Sequence, residues 1–319
     1  MSVDGVERVD VVIIGAGAAG LTAAIYSARA RRRTVVFERE LVGGQIATTE
    51  LVENYPGFPE GVGGLELSQR FQQQAERFGA ELRYEEVERL ERLPDGSFAL
   101  RTSSREYRAE AVIVTAGAAH NRLGVPGEEE LLGRGVSYCA TCDGAFFRDQ
   151  DVAVVGGGDS ALDEGLFLTR FARSVTIIHR RDKLRASAVL QERAFANPKI
   201  RFLFDTVVTA IEGGETVERV RLRNVKSGEE SSLPVSGVFV FIGQTPNSHL
   251  LKGLVELDEG GHAKVDLEMA TEVPGLFVAG DVRWKAARQL VSAAGDGATA
   301  AIAAERYLQE RIGSPRTEE

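Results

Sequence analysis

Cys139 and Cys142 are the only cysteines in a chain of 319 residues, and Ala140 and Thr141 alone separate them. Two thiols at that spacing can close on each other as a disulfide or share a metal ion. A structural zinc site needs a third and a fourth ligand, and the four histidines, at 120, 179, 249 and 262, are scattered away from the pair. Redox chemistry is therefore favoured, and no metal is expected. Asp143 follows directly. Thiol–disulfide exchange takes up or releases a proton that a neighbouring group must handle, and a carboxyl that did so would need a raised pKa, which burial could supply; a cap on the next turn is the other use for Asp143.

The electrons must come from elsewhere, and the sequence holds two glycine-rich turns of the kind that cradle a dinucleotide pyrophosphate. Residues 9–14 form a β-branched apolar run that enters Gly15-Ala16-Gly17-Ala18-Ala19-Gly20 and then a helix-forming stretch. A second strand at 34–37 ends in Glu38, 23 positions after Gly15. Glycine permits the tight turn and the close approach of pyrophosphate to a helix N-terminus, while the carboxylate suits free ribose hydroxyls, as in FAD.

The pattern recurs downstream of the cysteines. Residues 151–155 enter Gly156-Gly157-Gly158-Asp159-Ser160-Ala161, a helix is predicted through Leu168, and a strand spans 175–178. The position 23 after Gly156 is now His179, followed by Arg180, Arg181 and nearby Arg185. A strand end that offered a carboxylate in the first unit offers cations in the second, which suits a 2′-phosphate and points to NADP(H) over NAD(H). A solvated basic loop is the alternative. Two dinucleotides in one chain imply hydride transfer between them.

The elements that position these loops read as α/β, with two Rossmann-like dinucleotide-binding domains. An amphipathic helix over 65–78 closes at Gly79, strands flank the turn Pro94-Asp95-Gly96, and a buried strand at 111–114 runs into Thr115. Residues 119–127 connect to the second unit. Strands at 200–204, 207–211, 217–225 and 235–242 are expected to form an antiparallel layer. Residues 243–247 lead back, a strand ends in Gly280-Asp281, and an alanine-rich helix covers about 291–309. Asp281 can meet a ribityl hydroxyl or cap that helix. The net charge of −9 and pI near 5.2 argue against a nucleic-acid partner. No apolar run reaches membrane-spanning length and no signal peptide is apparent, so a cytoplasmic protein is expected. The basic cluster Arg29 to Arg33 reads as a solvated helix end.

Taken with Gly43-Gly44-Gln45, the run Glu53-Asn54-Tyr55-Pro56-Gly57-Phe58-Pro59 and Arg288-Gln289, these motifs resemble the low-molecular-weight thioredoxin reductases over about residues 11–308. Members of that family pass electrons from NADPH through FAD and a CxxC pair to thioredoxin. The resemblance implies a discontinuous FAD domain, 1–118 with 247–319, interrupted by an NADPH domain, 119–246, that carries the cysteines. It implies FAD contacts from Gly15, Gly17, Gly20, Glu38, Gln45, Asn54, Thr115, Asp281, Arg288 and Gln289. NADPH contacts are implied for Gly156, Gly158, Asp159, Ser160, His179, Arg180, Arg181 and Arg185. Cys142 would face the flavin, Cys139 would attack the thioredoxin disulfide and Asp143 would move the proton. Arg134, Phe146 and Phe147 would meet thioredoxin, the protein would be a homodimer, and 118–122 and 243–247 would hinge the inserted domain.

Two departures stand out. Where the family has an acidic and then an aromatic residue before Arg-Gln, this chain has Arg283-Trp284-Lys285-Ala286-Ala287, and Gln244 stands where a histidine often follows the glycine. A flavoprotein reductase of another disulfide, a disulfide-making oxidase and a non-enzymatic CxxC redox sensor are the alternatives. Catalytic consumption of NADPH separates the sensor from the enzymes.

Overall fold

Val11-Val12-Ile13-Ile14 is β-branched and apolar on both faces, so it is satisfied only in a sheet covered on both sides. In the computed structural model, which describes residues 6–49, 52 and 54–313, these residues end strand β1 (Glu7–Ile14), all four buried. Helix α1 (Ala18–Arg29) follows; Arg29 lies in its last turn and Arg31 turns left-handed at φ 58° just beyond. β2 (Thr34–Phe37) returns parallel to β1, with Val11 opposite Thr34 and Ile14 opposite Phe37. Helix α2 (Gly64–Arg77) buries Leu67, Ser68 and Ala75, and Glu66 and Arg77 complement its dipole at the two ends. β3 (Glu81–Arg83) joins β2, and β4 (Val87–Arg92) and β5 (Phe98–Thr102) form an antiparallel hairpin.

β6 (Glu106–Val114) serves two partners at once beside β1. Its first half pairs antiparallel with β5, and Val112, Ile113 and Val114 pair parallel with a strand from the far end of the chain. The chain leaves through β7 (Ala118–His120) and runs through β8 (Val136–Ser137), helix α3 (Ala140–Asp143), β9 (Asp151–Gly156), helix α4 (Asp159–Leu168), β10 (Ser174–Ile178), helix α5 (Ala188–Ala196) and β11 (Ile200–Leu203). β12 (Thr206–Gly213), β13 (Val217–Asn224), β14 (Glu230–Pro234) and β15 (Gly237–Phe241) complete this stretch. It returns through β16 (Gln244–Pro246) to β17 (Leu276–Val278), the second partner of β6, and ends in helix α6 (Leu290–Ile312). Two compact units result, Met1–Ala119 with Thr245–Glu319, and His120–Gln244.

In the inserted unit a five-stranded parallel sheet runs β11-β10-β9-β15-β8, and β12-β13-β14 form a separate antiparallel sheet. This corrects the expectation of one antiparallel layer across 200–242. The partly buried β11 and the buried β15 belong to the parallel sheet, and only 206–224 with the unforeseen, mostly exposed β14 is antiparallel. The apolar runs of both kinds look alike in sequence; pairing direction is a long-range choice.

The discontinuous unit packs both faces of its sheet. Ala23 and Ala24 of α1 and Ala300, Ala301 and Ala304 of α6 share one core with Val11 and Ile13, and the small side chains let the two helices lie close. On the other face Phe37 meets Tyr107 edge-on at 4.8 Å, with Phe98 and Leu100 fully buried around them. Each such side chain contributes about 1.5–3 kcal/mol on burial.

The basic cluster after α1 is not uniformly solvated, which corrects a second expectation. Arg32 is 4 % exposed and forks onto Glu305 of α6, Nε to Oε2 at 2.7 Å and Nη2 to Oε1 at 2.9 Å, with Nη2 also donating to the Gly313 carbonyl at 2.9 Å. The partner lies 273 residues away, beyond the reach of a local reading. Replacing Arg32 with Met strands the Glu305 carboxylate and should lower unfolding stability by about 3 kcal/mol, whereas Arg32→Met with Glu305→Met recovers most of it. Denaturant unfolding followed by circular dichroism measures both; an unchanged midpoint for the single variant would show that the pair contributes nothing.

Candidate functional site

In the discontinuous unit the three glycines of the first loop do three different jobs. Gly15 turns at φ 106°, and a Cβ there would stand 2.6 Å from the Thr115 carbonyl oxygen. Gly20 packs so tightly that its Cβ would lie 1.8 Å from the Gly15 oxygen. Gly17, the N-cap of α1, would meet nothing within 4 Å. The first two are demanded by packing, whereas the third leaves open space over the N–H groups of a helix end, which is where an anion binds. Around this opening Glu38 Oε2 accepts the Ala16 N–H at 2.8 Å, and Thr115 Oγ1 donates to the Gly15 carbonyl at 2.7 Å. Gln45 Nε2 donates to the Ala118 carbonyl, and Asn54 Nδ2 donates to Gln289 Oε1 at 3.3 Å. Gln289 is the N-cap of α6. Glu53, between these motifs, lies outside the described residues.

Asp281 follows β17. Burial pushes its carboxyl above the usual range and Asp296 adds to the effect, while Arg288, Arg283 and His262 pull the other way. A half-buried carboxyl whose charged form is disfavoured by burial gains from a hydrogen-bonding partner, and the bare helix end gains from a phosphate, so the residues present fit FAD.

The inserted unit repeats the device. A Cβ on Gly156 would meet the Phe241 carbonyl at 2.5 Å, one on Gly157 would strike the His179 ring at 2.2 Å, and one on Gly158 would meet nothing within 4 Å. Gly158 caps α4, whose first residues Asp159 and Ser160 are exposed. The segment after β10 folds back on this loop: the Arg185 N–H donates to the Gly157 carbonyl at 2.7 Å and the Ser187 N–H to Asp159 Oδ1 at 2.6 Å. Arg180, Arg181 and Arg185 are exposed beside it. His179 differs from them. It is 5 % exposed, its Nε2 lies 3.0 Å from the Lys183 carbonyl, and burial holds its pKa below the usual histidine value, with Arg185 and Arg181 acting in the same direction. Its place is under the glycine loop, where it supports the turn.

Cys139 and Cys142 are joined as a disulfide with Cα atoms 5.3 Å apart, at the start of the single-turn helix α3. Cys139 is the N-cap: its Sγ accepts the Cys142 N–H at 3.2 Å. Asp143 begins the next turn without capping it through its side chain; its Oδ2 instead accepts a hydrogen bond from Ser137 Oγ at 2.5 Å. Ser137 Oγ also accepts the Cys139 N–H at 3.0 Å, so one buried hydroxyl ties the carboxylate to the first cysteine. Phe147 packs edge-on against Phe239 at 5.2 Å, while Phe146 and Arg134 are exposed.

A family model for the pyridine nucleotide-disulphide oxidoreductases matches residues 9–298. The chain belongs to this family. It is 54% identical to the thioredoxin reductase of Mycolicibacterium smegmatis over 303 residues, covering 95% of this chain and 97% of that protein. It is 50% identical to the thioredoxin reductase of Bacillus subtilis, covering 94% and 95%. The solved thioredoxin reductase of Streptococcus pyogenes superimposes with a TM-score of 0.90 at 45% identity, covering 95% of this chain and 99% of that one.

Membership in this oxidoreductase family accounts for two glycine loops and a cysteine pair in one chain, and two further residues join the site. Ser137 carried no sequence signal beyond a polar residue in a short strand. Glu164 did carry one: its spacing from Ala161, Gly165 and Leu168 sets it, half-buried, beside the apolar stripe of α4, where a carboxylate is out of place. Its Oε2 is buried without a hydrogen-bond partner, and burial, then Asp163, raises its pKa against the opposing influence of the Thr141 and Ala140 N–H groups between the cysteines.

Two outcomes follow from this geometry. Gly17→Ala should fold as the wild type and be purified without flavin absorbance, whereas Gly20→Ala should lose thermal stability; equal behaviour of the two variants would contradict the separate roles. Asp281 binds its proton more tightly folded than unfolded, so its contribution favours folding below its unfolded pKa and is lost as pH rises through the folded one. Flavin-free Asp281→Asn should therefore melt higher than the flavin-free wild type at pH 7, with the gain vanishing toward pH 4. A gain that persists at pH 4 would assign the effect to something other than charge.

Proposed function

We propose that this protein is an NADPH-dependent thioredoxin reductase using Cys139 and Cys142 as its redox pair. The observation that carries the reading is the Cys139–Cys142 disulfide, set at a helix start in the unit that also holds the second glycine loop and its arginines. The named relatives, half identical across nearly the whole chain, support it.

When bound, NADPH supplies a hydride and FAD relays its two electrons to the disulfide. The side chains do the rest. The end of α1 at Gly17 would hold the FAD pyrophosphate and Glu38 the ribose, with Asp281, Arg288, Gln289, Gln45, Asn54 and Thr115 as further FAD contacts. The end of α4 at Gly158, with Asp159 and Ser160, would hold NADPH, and Arg180, Arg181 and Arg185 would pair with its 2′-phosphate. Two electrons and two protons turn the disulfide into two thiols, with Cys142 the sulfur that receives the electrons. Cys139, as thiolate, attacks one sulfur of the thioredoxin disulfide and displaces the other. Cys142 then attacks Cys139, which releases dithiol thioredoxin and restores the internal disulfide. Asp143, held by Ser137, passes the proton. Arg134 and Phe146 offer an exposed surface for thioredoxin, and the enzyme works as a cytoplasmic homodimer. Among the described residues no helix is long and apolar enough to cross a membrane.

The test mixes the purified protein with NADPH, thioredoxin and a disulfide-reporting reagent. Rapid NADPH consumption that requires thioredoxin is expected, with Cys142→Ser losing more than 99% of it, on the order of the loss when a nucleophile is removed. Asp143→Asn should slow exchange with flavin content unchanged, and Arg180→Ala with Arg181→Ala should narrow the preference for NADPH over NADH about tenfold or more. Flavin reduction by NADPH with thioredoxin left oxidised would assign the chemistry to a different disulfide substrate.

A further inference from the structure

Arg283 opens the segment 283–287 that departs from the family pattern, and its side chain is mostly covered. Its Nε donates to Asp296 Oδ2 at 2.7 Å and its Nη2 to Asp296 Oδ1 at 2.9 Å, and the two side chains are 16% and 11% exposed. Asp296 Oδ2 also accepts the Gly280 N–H at 3.2 Å. Asp296 itself stands on a fixed base. The next residue of α6, Gly297, has room for no side chain, since its Cβ would lie 2.0 Å from the Ala19 carbonyl of α1. Gly280 is equally confined: at φ 77° its Cβ would stand 3.1 Å from that of Ala19. One carboxylate on α6 therefore grips the loop after β17 at two points, before and after Asp281.

We propose that Arg283 and Asp296 are a positioning pair that holds the Gly280–Asp281 loop in the conformation that binds FAD. Two physical effects act together. The bidentate fork and the Gly280 N–H fix the backbone on both sides of Asp281, so the loop is ordered before FAD arrives and less ordering is paid on binding. Arg283 also cancels the charge of Asp296, which otherwise opposes ionisation of Asp281. The arginine at 283 and the aspartate at 296 thus make a charge-matched, forked set. The inference rests on the assignment of Asp281 to FAD.

The experiment uses the full-length protein, stripped of flavin and titrated with FAD by quenching of flavin fluorescence, with the melting temperature of each flavin-free variant measured alongside. Arg283→Gln should weaken FAD binding about tenfold or more, because a nearly buried carboxylate loses its partner. Arg283→Gln combined with Asp296→Asn should bind FAD more tightly than Arg283→Gln alone, since the uncompensated charge is gone. Arg283→Lys, which keeps the charge without the fork, should fall between wild type and Arg283→Gln, and it decides the matter if the double variant does not fold. Lowered melting temperatures with FAD affinity within twofold of wild type would reduce the pair to a structural brace and overturn the proposal. Asp281→Asn in the same titration separates the two levels. If it too leaves affinity unchanged, the assignment of Asp281 fails; if it alone weakens binding, only the positioning pair fails.

Discussion

A dinucleotide pyrophosphate can reach the N–H groups of a helix end only where no side chain intervenes, and most of this chain answers to that constraint, twice. Gly17 and Gly158 are the bare positions. Each needs a buried parallel strand to deliver the chain to the turn and a helix packed hard against that strand to aim its end, hence Gly15 and Gly20 in one unit and Gly156 against Ala161 in the other. The same packing makes α1 a surface on which α6 can lie at alanine and glycine distance, so the carboxyl-terminal helix joins the core of the unit that opens the chain.

The two units differ at the strand end, where chemistry is selected. Glu38 accepts a backbone N–H from its own glycine loop and so shows a carboxylate at the edge of β2. In the inserted unit the corresponding histidine is drawn under the loop, and its arginine neighbours are left outside. A buried, neutral imidazole supports the turn without adding to the positive charge that the arginines present. The cysteines are held by another short-range device: Ser137 links Asp143 to the N–H of Cys139, which fixes a carboxylate beside the redox pair without spending it on a helix cap.

Charge is settled over long distances in sequence. Arg32 with Glu305 and Arg283 with Asp296 are forked, largely buried pairs, and both join α6 to parts of the nucleotide fold. In such surroundings an arginine without its carboxylate is a large penalty, so the partners behave as units. Within the segment 283–287, Arg283 finds its partner in Asp296, thirteen positions later.

The sequence by itself determined the two glycine loops, their strand–turn–helix setting, the cysteine pair and the opposite charges at the two strand ends, because each is a local pattern whose residues lie within about thirty positions of one another. The tertiary structure decided which strands run parallel. β11 and β15 read like β12 and β13, and only pairing with β10 and β9 distinguishes them. It also decided which charges are buried. Arg32 looked like its exposed neighbours until Glu305 from the far end of the chain closed on it, and Ser137 looked like any strand serine until the turn of the cysteine pair brought Asp143 onto its hydroxyl. Glu164 lay between these cases, since its place beside an apolar helix stripe was legible but the cysteine turn above it was not. Periodicity reports which face of an element is covered, and only packing between elements supplies what covers it.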